Sequence, residues 1–326
     1  MWVQLDQPVW SYEQRHRDAR AKLATNRETV YNYNIFIERF QDHGAQPTSS
    51  FCNRRLRGSA MSLQALLFDV DGTIADTEAL GHRPAYNRAF RELGLPFRWG
   101  PKLYRKLLKQ PGGRERLKYY FLKYQPPLGE HEEEAKACID GWVARVHELK
   151  SLHFHRYMRH GRVPLRPGVA RLMREAREAG LHLAIVTNAS RKTLDPVLRY
   201  SLGPEMMAEV EVIASGEEVK NKKPSPDIYL LAAQRLGLKP EECVALEDSE
   251  MGLEAASAAG VHAVVTVNSD TIEQDFTEAS LVVSGLGEPG APTRVLKGKL
   301  AGHGWVTIDA LRQLCEPAGN RHIQAA

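Results

Sequence analysis

The chain lacks most of what would mark a secreted, membrane or nucleic-acid-binding protein. It has four cysteines in 326 residues: Cys52, Cys138, Cys243 and Cys315. They are far apart and form no Cys-x-x-Cys pair. That argues against a zinc site or a disulfide framework and suits a reducing, cytoplasmic compartment. No apolar run is long enough to span a bilayer. An excess of one charge is missing too, since 44 Lys and Arg face 40 Asp and Glu. The first 60 residues carry a balance of +3 and the remaining 266 only +1, so there is no electrostatic case for nucleic acid or membranes as partners. Internal repeats and low-complexity tracts are also lacking. What is present is 43% hydrophobic residues, enough for a sizeable core.

Residues 1–60 differ from the rest. Trp2, Trp10, Tyr12, Tyr31, Tyr33 and Phe36 are scattered among polar residues, without the apolar core of a secretory signal. The segment ends in a linker-like stretch, Ser49 to Arg57, and Met61 stands just before the first apolar run. The expectation is that Met61 is a native start and that residues 1–60 are an upstream addition. The alternative is a helical arm packed on the domain.

From Met61 onward strand-like and helix-like segments alternate, which predicts an α/β fold with a Rossmann-like parallel sheet. The strand candidates are 63–69, 181–187, 209–214, 243–247, 262–267 and 281–284. A helix is predicted after Arg166-Pro167-Gly168, stopping at Gly180, and another from Ser225-Pro226-Asp227 to Gly237. About 110 residues separate the first two strands, far more than one crossover needs. The surplus predicts an inserted helical domain over 78–158, leaving 61–77 and 159–326 as the α/β core.

Four strand ends carry polar groups. The first apolar run ends in Phe68-Asp69-Val70-Asp71-Gly72-Thr73-Ile74-Ala75, which delivers two carboxylates to the sheet edge where open α/β folds bind ligands. Two such acids repel, and burial makes ionising both costly, unless a divalent cation or a shared proton relieves them. A solvated Asp-Gly turn is the plainer reading. Thr187 follows the second strand, where its hydroxyl could bond a phosphate oxygen or cap a helix. Lys223 directly precedes Pro224, which restricts its backbone to extended conformations and aims the side chain. A solvated basic loop is the alternative. Glu247-Asp248-Ser249 puts two more acids at a strand end, as partners for Mg²⁺ or as a helix cap.

All four plain readings would have to hold together. The order Asp-x-Asp-Gly-Thr, then Thr, then Lys-Pro, then Glu-Asp resembles the haloacid dehalogenase-like hydrolase superfamily over about 61–290. The resemblance implies Asp69 as the nucleophile that becomes an aspartyl phosphate, and Asp71 as the general acid and then base. It implies Thr187 and Lys223 as holders of the transferring phosphoryl group. Mg²⁺ would sit on Asp69, the Asp71 main-chain carbonyl and Asp248, with Glu247 in or near the second shell. Asp71 argues for phosphate esters over halides, because a halide leaving group needs no proton.

The insertion resembles the helical cap of the superfamily. Asp76 to Arg83, Gln110 to Leu117, Gly216 to Val219 and Leu286 to Pro292 are similar to the CbbY-type branch, which includes xylulose-1,5-bisphosphate phosphatases. The resemblance implies that Glu78 and His82 meet sugar hydroxyls, and that Arg114 and Arg116, behind Gly112-Gly113, meet a second phosphate. A plain helix–helix turn is the other reading of that stretch. Asn188 and Arg191, just after Thr187, are further candidate substrate contacts. The expectation is a monomeric Mg²⁺-dependent phosphatase of a small phosphorylated sugar. The alternatives are a sugar phosphomutase of the β-phosphoglucomutase type and a catalytically silent binding protein on the same fold.

Overall fold

The computed structural model describes residues 62–315, except Pro111, Ala301 and His303. The expectations for residues 1–60 and for Met61 lie outside the described residues.

The runs 65–68, 183–187 and 243–247 are apolar on both faces of a strand, which requires cover on both sides and favours parallel pairing. The structure builds one seven-stranded sheet from β1 (Ala65–Phe68), β2 (His182–Thr187), β3 (Val212–Ser215), β4 (Cys243–Glu247), β5 (His262–Thr266), β6 (Leu281–Val283) and β7 (Val295–Lys297), in the order β3-β2-β1-β4-β5-β6-β7. The first six run parallel and β7 pairs antiparallel with β6. Every residue of β1 and β4 is buried. From β1 the chain winds outward through β2 and β3, then returns to place β4 on β1's other side. The β1/β4 junction is therefore the switch point of the sheet, and the crevice outside its carboxyl ends is the expected ligand site.

Between β1 and β2 the chain runs through a π-helical turn (Thr77–His82), α1 (Arg83–Glu92), α2 (Pro101–Leu108), α3 (Gly113–Tyr124), α4 (Glu132–Ala137) and α5 (Ile139–Arg159). These helices enclose an apolar cluster of their own around Tyr86, Phe90, Trp99, Tyr104, Tyr120 and Trp142. A separate cluster joins the sheet to its helices. The two chain crossings between the layers lie side by side: Ala75 bridges Leu165, and the Arg166 amide donates to the Ile74 carbonyl at 2.9 Å.

After β1 come α6 (Val169–Glu178), α7 (Arg191–Val197), α8 (Gly203–Met207), α9 (Asp227–Leu236), α10 (Glu250–Ala258) and α11 (Ile308–Cys315). α6 is followed by Gly180 and α9 by Gly237, both at positive φ, as predicted. α9 starts two residues later than Ser225. Its first-turn Asp227 accepts the Ser225 hydroxyl at 2.6 Å, so the acid rather than the serine gathers the hydrogen bonds at that end. The sequence reading missed β7, a three-residue exposed edge strand with no alternation to reveal it. Among the described residues no helix is long and apolar enough to cross a membrane.

Candidate active site

β1 ends at Phe68, and the Asp69 amide continues the ladder onto the Leu246 carbonyl of β4 at 3.0 Å. The chain then turns tightly: the Val70 carbonyl accepts the amides of Thr73, Ile74 and Ala75 at 3.0–3.3 Å. Asp69 is thereby buried at the switch point, and Asp71 is held above it, accepting the Thr77 hydroxyl at 2.5 Å. From β4 come Glu247, fully buried, and Asp248, 5% exposed. Ser249 caps α10 by accepting from the Gly252 amide at 3.2 Å. That leaves Asp248 free of the capping role, and it accepts from Asn268 at 2.6 Å.

Carboxylate oxygens of Asp69, Glu247 and Asp248 come within 4.8 Å of one another. Among the described residues one ammonium bonds two of them directly, while the Arg166 guanidinium acts on Asp248 from farther away. The Lys223 ammonium donates to Asp69 Oδ1 at 2.8 Å, Glu247 Oε1 at 2.6 Å and the Val186 carbonyl at 2.9 Å. Three buried carboxylates against one ammonium leave a deficit of two charges. Its electrostatic signature is clear. Burial pushes the Asp69 carboxyl up, against the pull of Lys223 and with the push of Glu247. Burial, Asp69 and Glu247 push Asp248 well above its usual range. Burial alone would lower Lys223, but its two carboxylate partners outweigh that and raise it, so the ammonium keeps its proton and the carboxylates carry the strain. An oxygen-rich cage short of two positive charges fits a hard divalent cation.

The carbonyl side of this cage is aligned by two neighbours. Asn188 accepts the Lys223 amide at 2.9 Å and donates back to its carbonyl at 3.3 Å. Thr187 accepts the Ala189 amide at 3.0 Å, forming the turn at the end of β2. The Lys223–Pro224 peptide is cis. The Ser225 amide donates to the Lys222 carbonyl at 2.9 Å, closing a turn around Lys223 that Asn188 clamps.

The cage opens into a cavity of about 420 Å³. Its floor is Asp69, Asp71, Thr187, Asn188, Lys223 and Asp248, and its far wall is Glu78, His82, Gly112, Gly113, Arg114 and Arg116. All but one of the candidate site residues line it. The exception is Arg191. It stands in the first turn of α7, but its guanidinium donates to the Ile213 carbonyl at 3.1 Å and its amide to Glu217 at 3.3 Å. A long side chain beside the edge strand β3 finds a carbonyl there, so Arg191 is corrected from a cavity residue to a bracing one.

Two far-wall residues are committed differently from the expectation. Arg116 is buried, 3.7 Å from Glu78 and hydrogen-bonded to the Tyr104 hydroxyl at 3.1 Å, while Tyr104 also donates to Glu78. His82 is buried against Phe154, ring centroids 4.0 Å apart, with Nε2 3.9 Å from Asp71 Oδ1. Burial and then the neighbouring Lys150 hold the imidazole well below its usual range, so it is neutral.

Lys150 and His147, both on α5, complete the cavity wall, and sequence reasoning missed them. Lys150 lies 2.9 Å from His82 Nδ1 and over the rings of Tyr86 and Phe154. Burial lowers it to about 8, with Glu78 and Asp71 opposing and Arg116 assisting. His147 is pushed down to about 4 by burial and by Lys150, Arg114, Lys192 and Arg116. Arg114, Arg116 and Lys150 thus share the wall opposite the carboxylate cage with two acids, Glu78 and Glu115.

A model of the haloacid dehalogenase-like hydrolases matches residues 63–260, which span both the nucleophile turn and the Glu247-Asp248 strand end. The chain belongs to this family. Within it the similarity is to CbbY proteins: the plasmid-encoded CbbY of Cupriavidus necator is 43% identical over 252 residues, covering 77% of this chain and 96% of that one. A substituted CbbY from Rhodobacter sphaeroides, solved with xylulose 1,5-bisphosphate, is 37% identical with a TM-score of 0.59, covering 68% of this chain and 94% of that one. The phosphorylated carbohydrates phosphatase of Thermotoga maritima is 32% identical over 206 residues, covering 63% of this chain and 85% of that one. This haloacid dehalogenase-like hydrolase is a phosphatase, a phosphoric monoester hydrolase of the CbbY-type branch.

Proposed function

We propose that the enzyme is a Mg²⁺-dependent phosphatase of a small sugar bisphosphate, such as xylulose 1,5-bisphosphate, with residues 78–158 serving as a cap over the core of 61–77 and 159–326. One observation carries this reading. A carboxylate cage short of positive charge faces, across one cavity, a wall that carries Arg114, Arg116 and Lys150, so a substrate with a phosphate at each end matches both.

In this reading Asp69 attacks phosphorus. The bond to the sugar oxygen breaks as the aspartyl–phosphorus bond forms, and Asp71 gives its proton to the departing oxygen. Burial and the nearby Glu78 raise the Asp71 carboxyl, which favours the protonated form that a general acid requires. Asp71 then takes a proton from the water that hydrolyses the intermediate, returning Asp69. Asp69, Asp248 and the Asp71 carbonyl would hold Mg²⁺, which supplies charge neutralisation for the transferring phosphoryl group. The ammonium of Lys223 has all three hydrogens on protein acceptors. Its first duty is to hold the nucleophile's carboxylate, and any phosphoryl contact is shared with it.

Phosphate release across a panel of sugar phosphates with Mg²⁺ tests the reading. Release from xylulose 1,5-bisphosphate without isomerised sugar supports it. Isomerised sugar phosphate without net release identifies a mutase, and no reaction with any member of the panel identifies a silent binding protein.

Two further results are expected. Arg114→Ala raises KM for a bisphosphate by about tenfold or more, the scale of one charge-assisted phosphate contact. It leaves KM for monophosphates within about twofold; equal effects on both classes would remove Arg114 from the distal subsite. The second concerns pH. Lys150 faces Glu78 and His82 from the π-helical turn, Arg116 from α3, Asp71 from the nucleophile turn and His147 on its own helix. It is charged below about 8 and neutral above. KM therefore rises as pH climbs through and beyond that value, and Lys150→Met has a high KM at all pH with this step absent.

A further inference from the structure

Tyr229, in the first turn of α9, is buried at 0% exposure and lies outside the cavity. Nothing in the chemistry above uses it. Its hydroxyl donates to Glu247 Oε1 at 2.5 Å, the same oxygen that accepts Lys223 at 2.6 Å. Its ring lies under the ammonium, 5.1 Å from Nζ to the centroid.

Glu247 is held on both oxygens. Oε2 accepts the Asp248 amide at 3.2 Å and the Ser249 hydroxyl at 3.4 Å. Gly252 presses on the carboxyl from α10, where an added Cβ would fall 2.0 Å from its carbon. The carboxylate therefore cannot translate, and the two donors on Oε1 divide one acceptor between them. Lys223 is in turn shared between Glu247 and Asp69.

We propose that Tyr229 is a positioning residue for the nucleophile: by donating to Glu247 Oε1 it limits that carboxylate's hold on Lys223, so that the ammonium stays hydrogen-bonded to Asp69. This rests on the reading of Asp69 as nucleophile. Without the hydroxyl, Glu247 Oε1 has Lys223 as its one donor, and in a buried site its attraction for that ammonium strengthens relative to that of Asp69. The hydrogen bond to Asp69 then weakens as Glu247 takes the larger share of the ammonium, and the attacking carboxylate loses its alignment. Substrate does not touch Tyr229, so its binding is unaffected.

Tyr229→Phe removes one oxygen and keeps the ring, so the protein folds. The expected result is a kcat lower by about tenfold, the scale of one hydrogen bond to a charged group, with KM within about twofold of wild type. In rapid acid-quench experiments the variant forms the aspartyl phosphate about tenfold more slowly. Crystal structures of the two proteins give a readout that needs no turnover: in Tyr229→Phe the Nζ to Asp69 Oδ1 separation lengthens from 2.8 Å. If the assigned phosphatase reaction fails, the structural comparison still decides the role of Tyr229. A variant with unchanged kcat and an unmoved Lys223 overturns the proposal, even if its melting temperature falls, because a merely structural hydrogen bond would show only in stability.

Discussion

Asp69→Asn turns over no sugar phosphate, a loss of about a thousandfold or more, as when a covalent nucleophile is removed elsewhere, and it stays folded. The amide oxygen can still accept from Lys223, so the 2.8 Å contact has a successor. What the amide lacks is the lone-pair density to form the bond to phosphorus. It also removes one of three buried negative charges that a single lysine cannot balance. Burial raises the Asp69 carboxyl despite Lys223, so ionising it opposes folding in the absence of a bound cation. The substitution therefore leaves the melting temperature unchanged or raised by a few degrees, and lowers the gain in stability that Mg²⁺ confers. Phosphate release together with thermal melts at graded Mg²⁺ checks both halves. Turnover above a few per cent of wild type would take the nucleophile's role away from Asp69.

The residues legible from strand pattern alone share one property: they end buried strands. Asp69, Thr187, Glu247 and Asp248 each follow an apolar run whose period marks it as an interior parallel strand, and sheet topology takes all such ends to one edge. The same logic made the α/β fold readable, along with six of seven strands. It fails for helices. Lys150 sits in Val146-His147-Glu148-Leu149-Lys150, where a lysine on an amphipathic helix reads as a solvated stem; only the packing of α5 against the π-helical turn puts it beside His82. Tyr229 is one apolar face position among several, and its partner is eighteen residues away in another element. Arg191 failed the other way. A basic residue just past Thr187 fits an anion site by spacing, but its guanidinium bonds the Ile213 carbonyl, which Arg235 also reaches. Where a long side chain ends, unlike strand order, depends on which acceptors the fold presents nearby.

Gly72→Ala is expected to damage both stability and catalysis, for reasons that separate cleanly. Gly72 sits at φ +99°, in a region where a side chain is strained. An added Cβ would also lie 2.1 Å from Asp248 Oδ2 and 2.7 Å from the Asn268 amide nitrogen. Neither neighbour is free to yield. Asp248 and Asn268 hold each other at 2.6 Å. The Gly72 carbonyl accepts from Arg166, whose guanidinium is also tied to Thr266 and Val267 at 2.7–2.9 Å. Relief comes only by displacing Asp248 from Asp69 or by lifting the turn that carries Asp71. Strain and overpacking together destabilise by about 2–4 kcal/mol. A displacement near 1 Å among the reacting groups lowers kcat by about a hundredfold. Gly94→Ala is the control. Gly94 also has a positive φ, +67°, but nothing lies within 4 Å of its would-be Cβ, so that variant loses about 1 kcal/mol and keeps full activity per folded molecule. Urea melts and kcat measured well below each midpoint distinguish the two. If Gly72→Ala behaves like Gly94→Ala, the close approach of the nucleophile turn to Asp248 is packing alone, and the carboxylate cage tolerates a wider spacing than its charge balance requires.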